Sequence, residues 1–593
     1  MIRLCRRFLG ARDGNFGMIA AIAMFPLGLT TLGVVDLTIY RSSLTTVQDS
    51  MDAAALAAAK DIDDGVDKAK DLAQKVFASN IKTDKLRGTA VLTFLGVEED
   101  ADGASVLKFR SDYRHNFYFS GALNLIAKLA GSKSTLQEFL DTQLTTQVAF
   151  GEMAMEVAFV LDNSGSMNDG GKIATLRSVA EDSVKKLFTL ADVSKGDIVD
   201  PIKVALVPFA ASVNVGTGNR SASWMDPGNS DSTLQGNDWS TSSYAVSQNP
   251  STKLWTRNSD KTVLNRFYLY DQMRVAWGGC VEVRRGSYGT DDTAPKASDP
   301  NSYFTPMFAP DQPSYYSRYP SNNRSTDETS AYSSFDYLDD LRKISSNSQK
   351  DNYIGYSKQF ARQGRVDKYE YYPSNSGVTA NGLSNGPNYM CTTQPVMPLT
   401  TDKSKAINNV RSMVASGGTN IPDGVAWGWR TLSHGEPFTE GRGPGDRDYN
   451  RTKKIMIVMT DGENTYYNYN FRTSVSSSDP NQNRSTYGAY GFASTGEIFK
   501  GTSKQGTTQY TSDNYTTAMN ERLTTVCTNA KAAGIEIYTV AFDVDDPSTV
   551  KNILYNCASD DKGGHFFDAK TSANLIASFD QIINNISEIR LVR

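Results

Sequence analysis

The chain has 593 residues, with 61 Lys and Arg against 65 Asp and Glu, and a formal net charge of −4. Its length allows several domains at roughly 150 residues each, and so even a charge balance gives no electrostatic case for a nucleic-acid partner. The three histidines, His115, His434 and His565, stand apart without any His/Cys zinc spacing, and each is read as structural.

Gly14 to Val35 is a run of 22 residues without a charged side chain. That is long enough for a helix to cross a hydrocarbon core of roughly 30 Å. Arg3, Arg6, Arg7 and Arg12 precede it, which places the N-terminus in the cytoplasm and the rest outside. The competing reading is a cleaved signal peptide, whose apolar core usually runs about 7–15 residues. Here the core is longer, and Asp52 to Lys60, rich in Ala, continues as a strong helix former. The expectation is a basic stub and single-pass anchor over residues 1–40. One helix over Arg41 to Ser79 follows. A small membrane-proximal α+β unit reaches residue 150, with a strand at Ala90 to Phe94 and a helical patch at Leu123 to Leu129.

Beyond about Glu152, continuous apolar strands alternate with helices. Strands are expected at Met155–Leu161, Lys203–Phe209, Lys454–Met459 and Ile535–Phe542. Helices are expected at Lys172–Leu190, Lys403–Val414, Pro422–Leu432, Tyr515–Ala533 and Ser572–Ile586. This alternation argues for a mostly parallel sheet covered on both faces, spanning residues 151–593. A polar insertion at 216–400 holds 16 of the chain's 29 tyrosines, and a second runs over 466–512. Tyr offers a rigid face with a polar tip, so the insertions suit a wall around a binding site. They equally suit loops with a small core of their own. Cys280, Cys391, Cys527 and Cys557 form an even set beyond the anchor and imply two disulfides in an oxidising compartment. Of the three pairings, Cys280–Cys391 with Cys527–Cys557 is favoured, because each bridge closes a local unit.

Three distant segments carry oxygen donors. Asp162-Asn163-Ser164-Gly165-Ser166 follows one apolar strand, Thr460-Asp461-Gly462 follows another, and Gly417-Gly418-Thr419-Asn420 lies between them. Ligands of open α/β sheets bind outside the carboxyl ends of the strands. In an extended turn, Asp162, Ser164 and Ser166 point to one side. Carboxylate and hydroxyl oxygens suit a hard cation. With only two carboxylates, the ion keeps an appetite for one more anionic oxygen.

This set resembles the metal-ion-dependent adhesion site of von Willebrand factor type A domains. The resemblance implies that Ser164, Ser166 and Thr419 touch one Mg²⁺ or Mn²⁺ ion, with Asp162 and Asp461 acting partly through water. It also implies a von Willebrand A, Rossmann-like α/β fold. The N-terminus (Arg12-Asp13-Gly14-Asn15-Phe16-Gly17, then Leu44 to Gln48 and Asp52 to Leu56) resembles that of TadG-like proteins of bacterial tight-adherence pilus assembly systems. So do Trp277-Gly-Gly-Cys280-Val, Pro398-Leu-Thr400 and Trp427-Gly-Trp429-Arg-Thr-Leu432. One departure from the related pseudopilins is Ile19, where their processing site carries Glu. No His, Lys or third carboxylate is visibly paired with Ser164 or Ser166 as a base, so a non-enzymatic protein is expected, and the resemblance implies one of the bacterial inner membrane, its bulk periplasmic or surface-exposed. Such a protein would bind the Asp or Glu carboxylate of pilus or secretion-apparatus components. The alternative is an adhesin that uses the same site on host or abiotic surfaces.

Overall fold

The computed structural model describes residues 15–62, 65–81, 86–99, 105–129, 135–150, 153–192, 198–230, 246–312, 337–338, 363–370, 386–468, 483–545, 549–559 and 564–591. The chain forms two compact units, one of residues 1–152 and 588–593 and one of residues 153–587.

The first unit contains helices α1 (Asn15–Lys60) and α2 (Val66–Asn80) and strands β1 (Gly88–Glu99) and β2 (Ser105–Asn116). The short helix α3 (Ser120–Leu129) and strand β3 (Phe139–Phe150) complete it. The strands form an antiparallel sheet in the order β1-β2-β3. Val47, Met51, Ala54 and Ala58 of α1 repeat at helical spacing, as do Ala69, Ala73 and Phe77 of α2. Both stripes pack with Leu92, Leu107, Phe109 and Tyr113 of the sheet. The single helix expected over Arg41 to Ser79 is two helices. Gly65, which starts α2 with φ of 108°, holds a backbone conformation that breaks a helix. Gly14 and the four arginines lie outside the described residues. Among the described residues no helix is long and apolar enough to cross a membrane, so the anchor reading rests on its sequence.

In the second unit, β4 (Ala154–Asp162), α4 (Lys172–Asp192) and β5 (Ile202–Phe209) come first. The insertion contributes a hairpin of β6 (Val246–Gln248) and β7 (Trp255–Arg257), and helix α5 (Arg266–Met273). Then follow β8 (Met397–Thr400), α6 (Lys403–Ser412), α7 (Ile421–Leu432), β9 (Thr452–Thr460), α8 (Ser512–Ala532), β10 (Ile535–Phe542), α9 (Thr549–Cys557), β11 (Phe566–Ala569) and α10 (Ser572–Leu591). The six-stranded sheet has the order β11-β10-β9-β4-β5-β8. All neighbours are parallel except β5 and β8. The edge strand β8 was not expected, and it is the one that departs from the parallel reading.

Side chains of β4 alternate between two cores. Ala158 and Val160 face Val425 and Trp429 of α7, while Val157, Phe159 and Leu161 face Leu176 and Val184 of α4. α7 lies unusually close to the sheet. A Cβ at Gly424 would fall 2.6 Å from the Phe209 ring, and one at Gly428 would fall 2.4 Å from Cγ2 of Val160. Both expected disulfides are present, Cys280–Cys391 and Cys527–Cys557.

The glycine contact makes a direct prediction. Ala is the better helix former by about 1 kcal/mol, yet Gly428→Ala inserts a methyl against Val160 and Met456. Overpacking of this kind costs about 1–3 kcal/mol. Denaturant unfolding should show a net loss of stability, and an unchanged or higher midpoint would refute the close approach.

Candidate metal centre

β4 and β9 run parallel with Leu161 opposite Met459. β4 is apolar from Val157 and β9 from Ile455 up to that pair, and polar residues begin at the next position. Asp162 therefore ends β4 beside Thr460, which ends β9, and Asp461 follows one residue later. Asp162 is fully buried. Its Oδ1 accepts the Ser164 backbone N–H at 2.7 Å, and its Oδ2 accepts the Thr460 hydroxyl at 2.6 Å. The hydroxyls of Ser164 and Ser166 lie 3.1 Å apart, and Ser166 donates to Oδ1 of Asp461 at 2.6 Å. The structure thus joins Ser164, Ser166 and Asp461 in one chain of contacts, with Asp162 holding the turn that carries the serines.

The middle loop is stitched to this turn by backbone pairs. Gly165 N–H donates to the Gly417 carbonyl at 2.9 Å, and Ser416 N–H donates to the Asn163 carbonyl at 2.8 Å. Thr419 is held from the other side. Its N–H donates to the Thr465 hydroxyl at 2.7 Å, and its carbonyl accepts the Thr465 N–H at 2.8 Å. The two glycines before Thr419 permit this closeness. Gly417 has φ of +92° with Thr392 against it, and a Cβ at Gly418 would fall 2.9 Å from the Thr465 hydroxyl. All five residues read from the sequence, Asp162, Ser164, Ser166, Thr419 and Asp461, thus lie on three loops joined by direct hydrogen bonds.

Sequence reasoning missed a cation. Lys172, the first residue of α4, places Nζ 3.1 Å from Oδ2 of Asp461 and 3.1 Å from Oδ2 of Asp543. Asp543 follows β10 with φ of +54°. Tyr467 lies beside Gly418 and is half exposed. The signal for Lys172 was its position at the start of the helix after the serine turn. Nothing local linked it to Asp461.

Charge decides what this arrangement can hold. The side chains of Asp162 and Asp461 are both buried, and Lys172 already shares its charge with Asp543. Burial, together with the negative charge of Asp461, pushes the Asp162 carboxyl up to about 6. Burial is the larger cause, and Lys172, spent on Asp461 and Asp543, does not offset it. The donor set fits a hard divalent cation: two carboxylates, two serine hydroxyls and a threonine hydroxyl. Among the described residues no group of three or more His, Cys, Asp or Glu side chains is placed to hold a metal, so a centre here depends on the hydroxyls.

No family model matches the chain, and no curated protein matches it. Similar solved structures include the von Willebrand factor domain of the type V pili tip protein Mfa5 from Porphyromonas gingivalis. It is 12% identical with a TM-score of 0.29, covering 74% of this chain and 97% of that one. The pilus adhesin SpaC from Lactobacillus rhamnosus GG is 10% identical with a TM-score of 0.30, covering 84% of this chain and 35% of that one. The adhesive tip pilin GBS104 from Group B Streptococcus agalactiae is 13% identical with a TM-score of 0.29, covering 73% of this chain and all of that one. Likeness at these scores carries no weight for function.

Two predictions follow from the charges. Because the folded carboxyl of Asp162 lies near 6, above an unfolded value of about 3.9, the metal-free fold gains stability as pH falls from 6 towards 4 and loses it as pH rises through that window. The full difference is about 3 kcal/mol. A cation needs the carboxylate, so the rise in Tm with Mg²⁺ should be large at pH 7.5 and shrink below pH 6. Asp162→Asn should flatten the first dependence and abolish the second, and thermal unfolding across pH with and without Mg²⁺ reads both. For Lys172→Met, removal of the competing ammonium should tighten Mg²⁺ binding about tenfold while lowering metal-free stability. Weaker Mg²⁺ binding in calorimetry would show that Lys172 supports the site rather than competing at it.

Proposed function

We propose that this chain is a membrane-anchored protein of a bacterial envelope that grips a carboxylate of a protein partner through one Mg²⁺ or Mn²⁺ ion, and so helps to assemble or anchor a tight-adherence pilus. The observation that carries this reading is the run of contacts from Ser164 through Ser166 to Asp461 at the carboxyl ends of β4 and β9. Ser164, Ser166 and Thr419 would hold the ion directly, and Asp162 and Asp461 would hold it directly or through water. Bound there, the cation offers a coordination position to an Asp or Glu side chain from outside.

The chain's own residues prepare that encounter. Three of the five donors are neutral, so they leave most of the ion's field uncancelled. Lys172 takes up part of the charge of Asp461, so that this carboxylate cancels less of the field. The backbone pairs at Gly165–Gly417 and Thr419–Thr465 fix the donors beforehand, which limits the ordering cost on binding. The reading is non-enzymatic. The amine at the site, Lys172, lies between two carboxylates and is therefore held charged, unsuited to act as a base towards Ser164 or Ser166. The anchor is the uncharged span Gly14 to Val35, which places the α/β unit outside the cytoplasm.

Affinity capture from envelope extract tests this reading. Pilus components should be retained in Mg²⁺ and lost in EDTA, and Asp461→Ala or Thr419→Ala should lose them at equal protein level. Cells carrying Asp162→Ala with Asp461→Ala should fail in pilus assembly. Normal assembly in those cells would take the function away from this site.

A further inference from the structure

We infer that the end of the first unit around α3 seats in the headgroup layer of the lipid bilayer, so that this unit rests on the membrane rather than standing clear of it. The inference rests on the reading of Gly14 to Val35 as a membrane span. It begins with Asp36, the first charged residue after that span. A carboxylate at that depth would be costly if it faced lipid. Instead Asp36 is buried, and its two oxygens accept the backbone N–H groups of Tyr118 at 2.8 Å and Phe119 at 2.9 Å. These N–H groups lie at the start of α3, where Leu123 N–H closes onto the Phe119 carbonyl. The first N–H groups of a helix lack partners within it and attract anions. Asp36 thus fixes the start of α3 to α1 at the mouth of the span.

The surroundings have the composition of a membrane interface. Among the described residues, nineteen large apolar side chains are exposed. Three of them, Leu27, Val34 and Val35, belong to the span itself. Five more follow it at this end of the unit: Leu37 on α1, and Tyr118, Leu125, Leu136 and Phe139 on or beside α3. Leu136 is tied to α3 by two hydrogen bonds with Asn124, at 2.6 and 2.9 Å. Phe139 starts β3, next to the Phe117–Glu138 backbone bond. Water-facing surfaces rarely gather so much apolar area.

Cations complete the pattern. The Arg87 guanidinium lies 3.3 Å over the Tyr118 ring; that of Arg114 lies 4.4 Å over the Phe139 ring but is held by both oxygens of Asp141, at 2.7 and 2.8 Å, so Arg87 and Lys128 are the cations left to meet phosphate. Lys128 is exposed in the last turn of α3. Aromatic rings beside Arg and Lys at the end of an apolar span suit the headgroup level, where an apolar body meets lipid and a charged tip meets phosphate.

The full chain, with Cys5→Ser to leave no other free thiol, can be reconstituted in phosphatidylethanolamine and phosphatidylglycerol vesicles. Nitroxide labels would be placed singly at Leu125→Cys and Leu136→Cys. Leu27→Cys serves as a reference within the span, and Val91→Cys as an exposed apolar reference on β1. Collisions with oxygen should exceed those with a water-soluble nickel chelate severalfold at Leu125 and Leu136, and the order should reverse at Val91. Water-like values at Leu125 and Leu136 with a lipid-like value at Leu27 would overturn this inference and keep the anchor. Protection of Leu125 from both reagents would indicate a protein partner or second copy instead and also overturn it. A water-like value at Leu27 would remove the anchor itself.

Discussion

The register of β4 against β9 is the constraint on which the proposed centre depends. With Leu161 opposite Met459, the two strands leave the apolar interior at the same height. Asp162 then meets the Thr460 hydroxyl, and Asp461 meets Ser166. A slip of one residue would turn every side chain of one strand to the other face. The two cores that flank the sheet forbid this, since Val157 and Phe159 belong to one and Ala158 and Val160 to the other. Packing therefore holds two carboxylates close together that would repel one another if free to move. α7 reinforces the same register, because Gly428 lets it press onto Val160 of β4 and Met456 of β9.

Within that frame, electrostatics and geometry pull in opposite directions. Burial and like charge oppose ionisation of Asp162, while the Ser164 N–H and the Thr460 hydroxyl favour it. Lys172 relieves one carboxylate only in part, because Asp543 claims the same ammonium. A cation is the group that would satisfy both acids at once. Strain of this kind, held by strands whose stability lies elsewhere, is what a binding site can draw on without risk to the fold.

Much of this was legible in the sequence because two of the three donor segments lie directly past an apolar strand. The strand runs at Val157 and Ile455 announce the sheet, and the polar residues that follow can only lie at its edge. The helices α4, α7 and α8 were equally visible from their periodicity. What escaped notice was what tertiary contact alone creates. Lys172 and Asp461 are far apart in the chain, and no local pattern pairs them. The four-residue strand β8 contains Pro398 and is too short for alternation to show. Gly65 ends the run Asp61-Ile62-Asp63-Asp64-Gly65, poor helix formers between two strongly helical stretches, and so short a break is easily read through. Tyrosine content also could not distinguish a recognition surface from a core. Tyr270, Tyr337 and Tyr487 are buried, and their hydroxyls donate to the Met307 carbonyl, the Ala309 carbonyl and the Glu282 carboxylate. A rigid ring with one polar tip serves an interior that has a partner for the tip as well as it serves a surface.

That buried use of tyrosine changes what the insertions are for. The described part of the first insertion returns to the sheet through Cys391, which is bonded to Cys280, and the next residue reaches the centre. Thr392 donates to the Ser416 carbonyl at 2.8 Å and lies against Gly417. Nearby, Asn214, just beyond β5, donates to the carbonyls of Gly278 and Thr393 at 3.1 and 3.0 Å, and Ser212 donates to that of Met390 at 2.9 Å. The loop that carries Thr419 is therefore braced on one side by the serine turn and on the other by the disulfide-bonded end of the insertion. A loop without such bracing would have to order itself at each encounter with a ligand, losing roughly 1–2 kcal/mol per residue fixed. The insertion, its aromatic core and its disulfide thus act on the centre through the stiffness of the Gly417–Thr419 loop, and Tyr467 is left as the half-exposed aromatic beside it.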